Sequence, residues 1–424
     1  MEVEGGNDGR QHAHTPQRQE NPYPLYAVLR DRDPVHFSPI TGGWILTRYA
    51  DIVEALREPR LSSSGTDARL AQLPPALRDQ LAPFSRFLQR MMIKRDPPAH
   101  TLLRQILNGQ FTPRAVEALR PTIQTLADTL LDAVRPRGVM DVIADFAMPL
   151  PGSVIGMVIG LPLDDLPTFA RHAESLMTFS EIRLDIDPTA QLSRAHASLD
   201  WLLDYFAHLA AVRTHAPRGD LISAMMQAGL TVDVALANCV ALLVAGHETV
   251  TNLIGNGLLA LLRHPEQLAL LRMQPHRIPA AVEECLRYDS SILATGRHAT
   301  AAVEIGGKRI AAGQFVRLLL GSANHDPAQF AAPDDFDVTR HETHHLAFGH
   351  GAHHCLGAPL ARLEGQIALA TLLRRLPHIR LADKSALSWR GDMFTRGLIS
   401  LPVAFDEPDS SVTTPRQVEE RGQA

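Results

Sequence analysis

The chain is poor in lysine and cysteine, and it lacks a basic surplus. Of its 41 basic residues only Lys94, Lys308 and Lys384 are lysines, and 46 acidic residues outweigh them to a net charge of −5. A nucleic-acid binder would carry a basic surplus, so that class is set aside. Three cysteines stand in 424 residues, at 239, 285 and 355. An odd number in a chain long enough to bury its own core needs no disulfide staples, and a reducing cytoplasm is the expected setting. Met1–Glu20 has no apolar run, so no signal peptide is expected. Long hydrophobic runs are scarce as well. Phe146–Leu163 is uncharged but cut by Pro149, Pro151 and Pro162, and Val234–Gly246 falls short of the roughly 20 residues that a spanning helix needs. Both read as buried core helices of a soluble protein.

Helical spacing is what the sequence has in quantity. Leu119, Ile123, Leu126, Leu130 and Leu131 mark a helix within Val116–Val134, with Pro121 suited to a first turn. Pro24–Arg32, Tyr49–Arg57, Leu199–Val212, Val234–Leu262, Pro265–Leu271, Ile278–Tyr288 and Leu356–Leu373 are read the same way. Val234–Leu262 is nearly apolar through its middle and should run through a core. Val35–Phe37 and Gly43–Thr47 form a strand pair, Val303–Ile310 a hairpin about Gly306-Gly307, and Phe315–Leu320 a strand. The expectation is a mainly α (α+β) fold: one large domain over residues 21–406 with a small β-region, and disordered tails at 1–20 and 407–424.

Chemistry concentrates in three segments. In Phe348-Gly349-His350-Gly351-Ala352-His353-His354-Cys355-Leu356-Gly357, three glycines surround one cysteine at the mouth of a helix. Glycine lets a backbone approach a flat ligand closely, and a helix N-terminus favours a thiolate. A lone cysteine there suits a soft metal or haem, although a buried structural cysteine is the plain alternative. Glu284 and Arg287 lie three apart on one helix face, an arrangement common on surfaces. Ala245-Gly246-His247-Glu248-Thr249 interrupts an apolar helix with a glycine, an acid and a hydroxyl, and polar groups there need a reason.

Together, in this order, the three segments resemble the cytochrome P450 family, over about Asn21–Phe405. The pattern F-G-x-G-x-H-x-C-x-G is met at Phe348, Gly349, Gly351, His353, Cys355 and Gly357, E-x-x-R at Glu284 and Arg287, and A-G-x-[DE]-T at Ala245, Gly246, Glu248 and Thr249. Lesser echoes are Asp96-Pro97-Pro98 with His100 and Arg104, and Phe336–Arg340. The resemblance implies a cytoplasmic haem-thiolate monooxygenase with heme b (iron protoporphyrin IX) as cofactor, active as a monomer. It implies Cys355 as the axial thiolate, Phe348 shielding the sulfur, and Gly349 to Gly357 turning N–H groups to it. His100, Arg104, Arg297 and His353 match positions that bind haem propionates. Glu284, Arg287 and Arg340 look like a buried ion network holding the cysteine loop. Glu248 and Thr249 look like the distal acid–alcohol pair, the acid relaying protons and the hydroxyl orienting dioxygen. The competing reading of Thr249 is a helix back bond to the i−4 carbonyl. Val250 departs from the many relatives that carry a second threonine there.

The resemblance places substrate contacts at Phe84, Phe87 and Met91 in a loop around Pro83–Met92, and at Met177 and Phe179 in a lid over Met177–Leu184. Further contacts fall at Ala241, Val244 and Ala245 on the long helix, at Ile292 and Leu293, and at Met393 and Phe394. The substrate is then a small, mostly apolar molecule of secondary metabolism. With no flavin or iron–sulfur motif in the chain, electrons should come from a ferredoxin and ferredoxin reductase docking near Arg104 and Arg362. A peroxide-using peroxygenase and a non-catalytic haem sensor are the alternatives; Glu248–Thr249 disfavours both. His341-Glu342-Thr343-His344-His345 is a literal zinc-protease H-E-x-x-H, but its flanks do not favour the helix that motif requires.

Overall fold

The computed structural model describes residues 21–39, 42–64, 75–178, 188–382, 387–391 and 394–405. The expected tails, Phe179, Met393 and nearly all of the expected lid lie outside these, and so does the side chain of Met177. The helices are α1 (Tyr23–Arg32), α2 (Tyr49–Arg57), α3 (Pro75–Leu88), α4 (Ala99–Leu107), α5 (Pro113–Glu117), α6 (Arg120–Val134), α7 (Pro149–Ile159), α8 (Leu166–Thr178), α9 (Pro188–His215), α10 (Leu221–Gln227), α11 (Val232–Arg263), α12 (Pro265–Met273), α13 (Ile278–Tyr288), α14 (Leu320–Ala323) and α15 (Ala358–Arg375). The strands are β1 (Val35–Ser38), β2 (Gly43–Leu46), β3 (Leu61–Ser62), β4 (Val139–Asp141), β5 (Thr295–Ala299), β6 (Val303–Ile305), β7 (Lys308–Ile310), β8 (Phe315–Leu318), β9 (Arg380–Leu381), β10 (Trp389–Gly391), β11 (Arg396–Leu398) and β12 (Pro402–Ala404).

Helix α11 is the spine. It is long and apolar enough to cross a membrane, but half of its most apolar window is buried inside the fold. It packs on α7, α8, α9, α13 and α15. Glycines set how closely its neighbours approach: an added Cβ at Gly246 would lie 2.9 Å from Ile155 Cγ1 of α7, and one at Gly257 would lie 3.0 Å from Cys285 Sγ of α13. Each helical glycine costs about 1 kcal/mol relative to alanine, and the close crossings offset that cost. Where α7 ends, Gly160 takes φ +98, and a Cβ there would overlap Asp220. Asp220 in turn caps α10 by accepting from Ser223 N at 2.8 Å.

The five-stranded sheet runs β1-β2-β8-β5-β3, with β2 and β8 parallel and the other pairs antiparallel. It carries a separate core of Val35, Leu46, Ile52, Val316 and Leu318. β4, β12 and β9 form a second sheet, and β10–β11 and β6–β7 are two-stranded.

Several boundaries differ from the sequence reading. The helix expected over Val116–Val134 divides into α5 and α6, because Pro121 starts the second. The strand expected to reach Leu320 stops at Leu318 and turns into α14. Leu199–Val212 is only the middle of the 28-residue α9. The loop expected around Pro83 is largely helix α3, which accommodates Pro83 internally. Phe84, Phe87 and Met91 are 3%, 2% and 1% exposed within the main core, so they are packed side chains and not an open pocket wall.

Candidate active site

The three cysteines separate by exposure. Cys239 and Cys285 are buried, while Cys355 is half-exposed. Cys355 precedes α15, whose first turn has free N–H groups. Its N–H donates to Phe348 O at 2.9 Å, closing the loop on itself. Burial pushes the Cys355 thiol up; the N–H groups of Gly357 and Ala358 and the charges of Arg104 and Arg362 pull the other way. A metal bound there would settle the sulfur as the thiolate.

The glycines of the loop have separate jobs. Gly349 sits at φ +66 and Gly351 at φ +73, and a Cβ on Gly351 would come 2.7 Å from Leu56 O. Gly351 therefore serves the packing of the loop on α2. Gly357 is different: a Cβ there meets nothing within 4 Å. The packing of the chain does not itself demand glycine at that point.

Beside this loop lie two arginines and two histidines. His100 and His353 lie 4.2 Å apart, ring centroid to centroid. Burial, then Arg297 and His100, hold His353 down to about 4, against Asp96. His100 is 2% exposed, and its Nε2 is buried without a partner. Arg297 is buried with only Thr295 Oγ1 and Gly296 O as acceptors. Arg104 reaches Ala352 O at 3.2 Å. The unpartnered His100 Nε2 beside two arginines suits an anionic ligand. Asp96, the one nearby acid, is committed to Ser62 Oγ, to Ser63 N at 3.0 Å and to Ser64 Oγ at 3.1 Å. The Ser62–Ser64 contribution was not legible in the sequence, which shows no spacing that links it to Asp96.

Behind the loop the ion network is complete. Arg287 grips Glu284 with two bonds of 2.7 Å, and both side chains are at most 2% exposed. Its remaining donors reach Asn324 O, Pro333 O and Asp335 O at 2.6–3.0 Å. Arg340 Nε approaches Glu284 at 3.2–3.4 Å and donates onward to Ala331 O and Ala332 O. Asp337 N completes the shell at 2.9 Å. A second acid, Glu283, takes Arg362 at 2.7 and 2.9 Å and His345 at 3.2 Å. Burial raises that carboxyl, but these partners outweigh it and hold it at about 2. Arg362 also covers the Phe348 ring, 4.6 Å from its centroid. Arg362, one of the two arginines expected near the docking face, thus has its guanidinium paired while its side chain stays 35% exposed. Sequence reading missed Glu283 because it sits directly beside the motif acid and belongs to no motif.

His341–His345 forms no helix, so the zinc-protease geometry is absent. Among the described residues no group of three or more His, Cys, Asp or Glu could hold a metal ion.

Midway along α11, Ala245 is exposed and Thr249 half-exposed, though both sit at the centre of the spine. Thr249 Oγ1 donates to Ala245 O at 2.6 Å, the back bond named as its competing reading. That bond uses the hydroxyl proton and leaves its lone pairs to accept. Ser291 Oγ donates to Thr249 O at 2.7 Å, which fixes the 290–294 segment to α11. Glu248 faces Arg390 of β10 at 3.6 Å. Of the expected pocket residues, Ala241, Val244, Ile292 and Phe394 are half-buried, and Leu293 is buried.

Comparison with known proteins agrees with this geometry. Residues 187–380 match the family model "Cytochrome P450". Cytochrome P450 107B1 of Saccharopolyspora erythraea is 40% identical over 388 residues, 89% of this chain and 93% of that protein. The biotin biosynthesis cytochrome P450 of Bacillus subtilis is 39% identical over 396 residues, 91% and 97% of the two chains. The crystal structure of P450BioI in complex with hexadec-9Z-enoic acid ligated acyl carrier protein superposes with a TM-score of 0.85 at 38% identity, covering 92% of this chain and 100% of that one.

Proposed function

The chain belongs to the cytochrome P450 family of haem-thiolate monooxygenases, and from that premise we propose that Cys355 would hold the haem iron and that Glu248–Thr249 is the proton-handling pair. The reaction inserts one atom of O2 into a small, mostly apolar molecule, R–H + O2 + 2 e⁻ + 2 H⁺ → R–OH + H2O. The observation that carries this is Cys355, the half-exposed cysteine, beside His100, whose buried Nε2 has no partner, buried Arg297, and half-buried Arg104 and His353. Heme b fits that set, because a metal suits the thiolate and two carboxylates suit the cations. When bound it supplies the activation of dioxygen.

The chain's own residues do the rest. Gly357 and Ala358 N–H groups hold negative charge on Cys355 Sγ, and Phe348 keeps water from it. His100 Nε2 and the Arg297 guanidinium gain the partners they lack. Thr249 Oγ1 accepts a hydrogen bond from an ordered water, since its own proton goes to Ala245 O. Glu248 Oε1 takes protons from solvent and passes them inward. Ala241, Val244, Ile292 and Phe394 present apolar surface to the substrate. P450BioI, seen with a hexadecenoic acid on acyl carrier protein, supports an apolar chain as the substrate class. Electrons come from a ferredoxin and its reductase in the cytoplasm, and Arg362, 35% exposed, is the arginine of this face to test, because Arg104 is assigned to the cofactor.

The carbon-monoxide difference spectrum of the dithionite-reduced protein tests the assignment. A strongly red-shifted Soret band, lost in Cys355→Ser, is expected. A band at the neutral-ligand position in the wild type would show that Cys355 is not the thiolate ligand.

A further inference from the structure

The acid proposed to relay protons is held from an element that no motif marks. Glu248 lies on α11 and pairs at 3.6 Å with Arg390 on β10, the two side chains being 30% and 49% exposed. Arg390 stands opposite Gly397 in the β10–β11 register. Gly397 lies flat on α11 one turn beyond Glu248: a Cβ there would overlap Asn252 Oδ1. The missing side chain at 397 is what lets the strand pair lie close enough for Arg390 to reach Glu248.

The same hairpin is bolted beneath. Asn256 Nδ2 donates to Arg396 O at 3.1 Å, and Arg396 Nε donates to Asp289 Oδ1 at 2.5 Å. The Arg396 guanidinium lies 3.7 Å from the Trp389 ring centroid. One edge of the hairpin is thus anchored in the core, while the other offers a half-exposed cation to the acid. β11 also follows Phe394, whose carbonyl accepts from Leu293 N at 2.7 Å, so the wall of the expected substrate pocket and the cation share one short piece of backbone.

We propose that Arg390 is a positioning residue for Glu248, and that the Gly397 contact with Asn252 sets its reach. This deepens the reading of Glu248 as a proton relay and rests on it. An exposed pair at 3.6 Å is worth little in stability, and that suits the task. A relay carboxylate has to be oriented and must still exchange its proton, which a buried bidentate pair would prevent. Among the described residues, Glu174 of α8 and Arg390 also act on His247, the neighbour of Glu248, whose ring packs on Gly152.

The test uses Arg390→Gln, Arg390→Lys, Glu248→Gln and the double variant Arg390→Gln/Glu248→Gln. In the full-length protein, the ¹³C carboxyl signal assigned by its loss in Glu248→Gln should titrate at higher pH in Arg390→Gln than in wild type, and return towards wild type in Arg390→Lys. In the haem-loaded enzyme, Arg390→Gln should lower product formed per O2 consumed by roughly 3- to 10-fold and leave substrate KM within twofold. The double variant should be no worse than Glu248→Gln alone. An unmoved carboxyl titration in Arg390→Gln overturns the positioning role. So does full coupling in Arg390→Gln beside poor coupling in Glu248→Gln. Full coupling in Glu248→Gln instead removes the relay reading itself, and the inference built on it falls with it.

Discussion

Two glutamates, each held by arginine, stand on opposite sides of the proposed cofactor site, and they are held in opposite ways. Glu284 is buried, gripped by two bonds of 2.7 Å and closed in by backbone carbonyls around Arg287. Glu248 is partly exposed and meets Arg390 at 3.6 Å. The first arrangement makes any loss of charge expensive; the second makes a change of charge easy. An acid that fixes a loop needs the former, and one that handles protons needs the latter. The motifs separate the two acids by role, and the geometry shows how each is held.

The sharpest way to break this comparison is to remove one partner of the buried pair. Glu284→Gln leaves the Arg287 and Arg340 guanidiniums without their carboxylate, and a stranded buried charge costs about 3–5 kcal/mol. Urea denaturation should show that loss. Glu248→Gln should change stability by under about 1 kcal/mol, as expected for an exposed pair. Equal effects at the two sites would erase the distinction.

A third acid sharpens it. Glu364 on α15 is 1% exposed, and its Oε2 has no partner. Burial pushes its carboxyl up to about 8. The sign follows from linkage: above roughly pH 4.3 the unfolded chain loses this proton while the folded chain keeps it. The stabilisation is complete below that pH and is lost as pH rises towards 8, at up to about 1.4 kcal/mol per pH unit. Glu364→Gln should therefore flatten the decline in urea midpoint between pH 5 and 8. Glu283, held at about 2, acts in the opposite sense, losing its contribution as pH falls below about 4.3.

The motif residues were legible because their chemistry is carried by neighbours in sequence. Cys355, Glu284–Arg287 and Glu248–Thr249 fall where the spacing puts them, on α11, on α13 and ahead of α15. What was not legible depends on contacts between distant segments. Ser62–Ser64 on Asp96, Arg362 on Glu283 and Arg390 on Glu248 join positions 32 to 142 residues apart, and no periodicity encodes them. Phe84 and Phe87, placed in a loop by family resemblance, lie instead in α3, which continues through Pro83 and buries both rings.

A smaller effect probes how the distal helix is seated. Gly246→Ala places a methyl group 2.9 Å from Ile155 Cγ1. Overpacking of this kind costs about 1–3 kcal/mol, less any gain from replacing a helical glycine. Ile155→Ala removes both Cγ1 and Cδ1, so the double variant should lose less stability than the sum of the two single variants. If the pair of substitutions is simply additive in urea denaturation, the α7–α11 crossing does not depend on that contact.

The smallest change in stability belongs to Thr249, and it isolates chemistry from structure. Thr249→Ala removes one back bond to a carbonyl that the helix already satisfies, so its urea midpoint should stay within experimental scatter of wild type. The hydroxyl's lone pairs are another matter. Without them the distal water loses an acceptor, and the protons supplied through Glu248 are no longer directed. Product formed per electron should fall severalfold, with the missing electrons recovered as hydrogen peroxide. Unchanged coupling with no added peroxide would leave the back bond as the whole role of Thr249, and would reduce the distal half of the comparison to Glu248 alone.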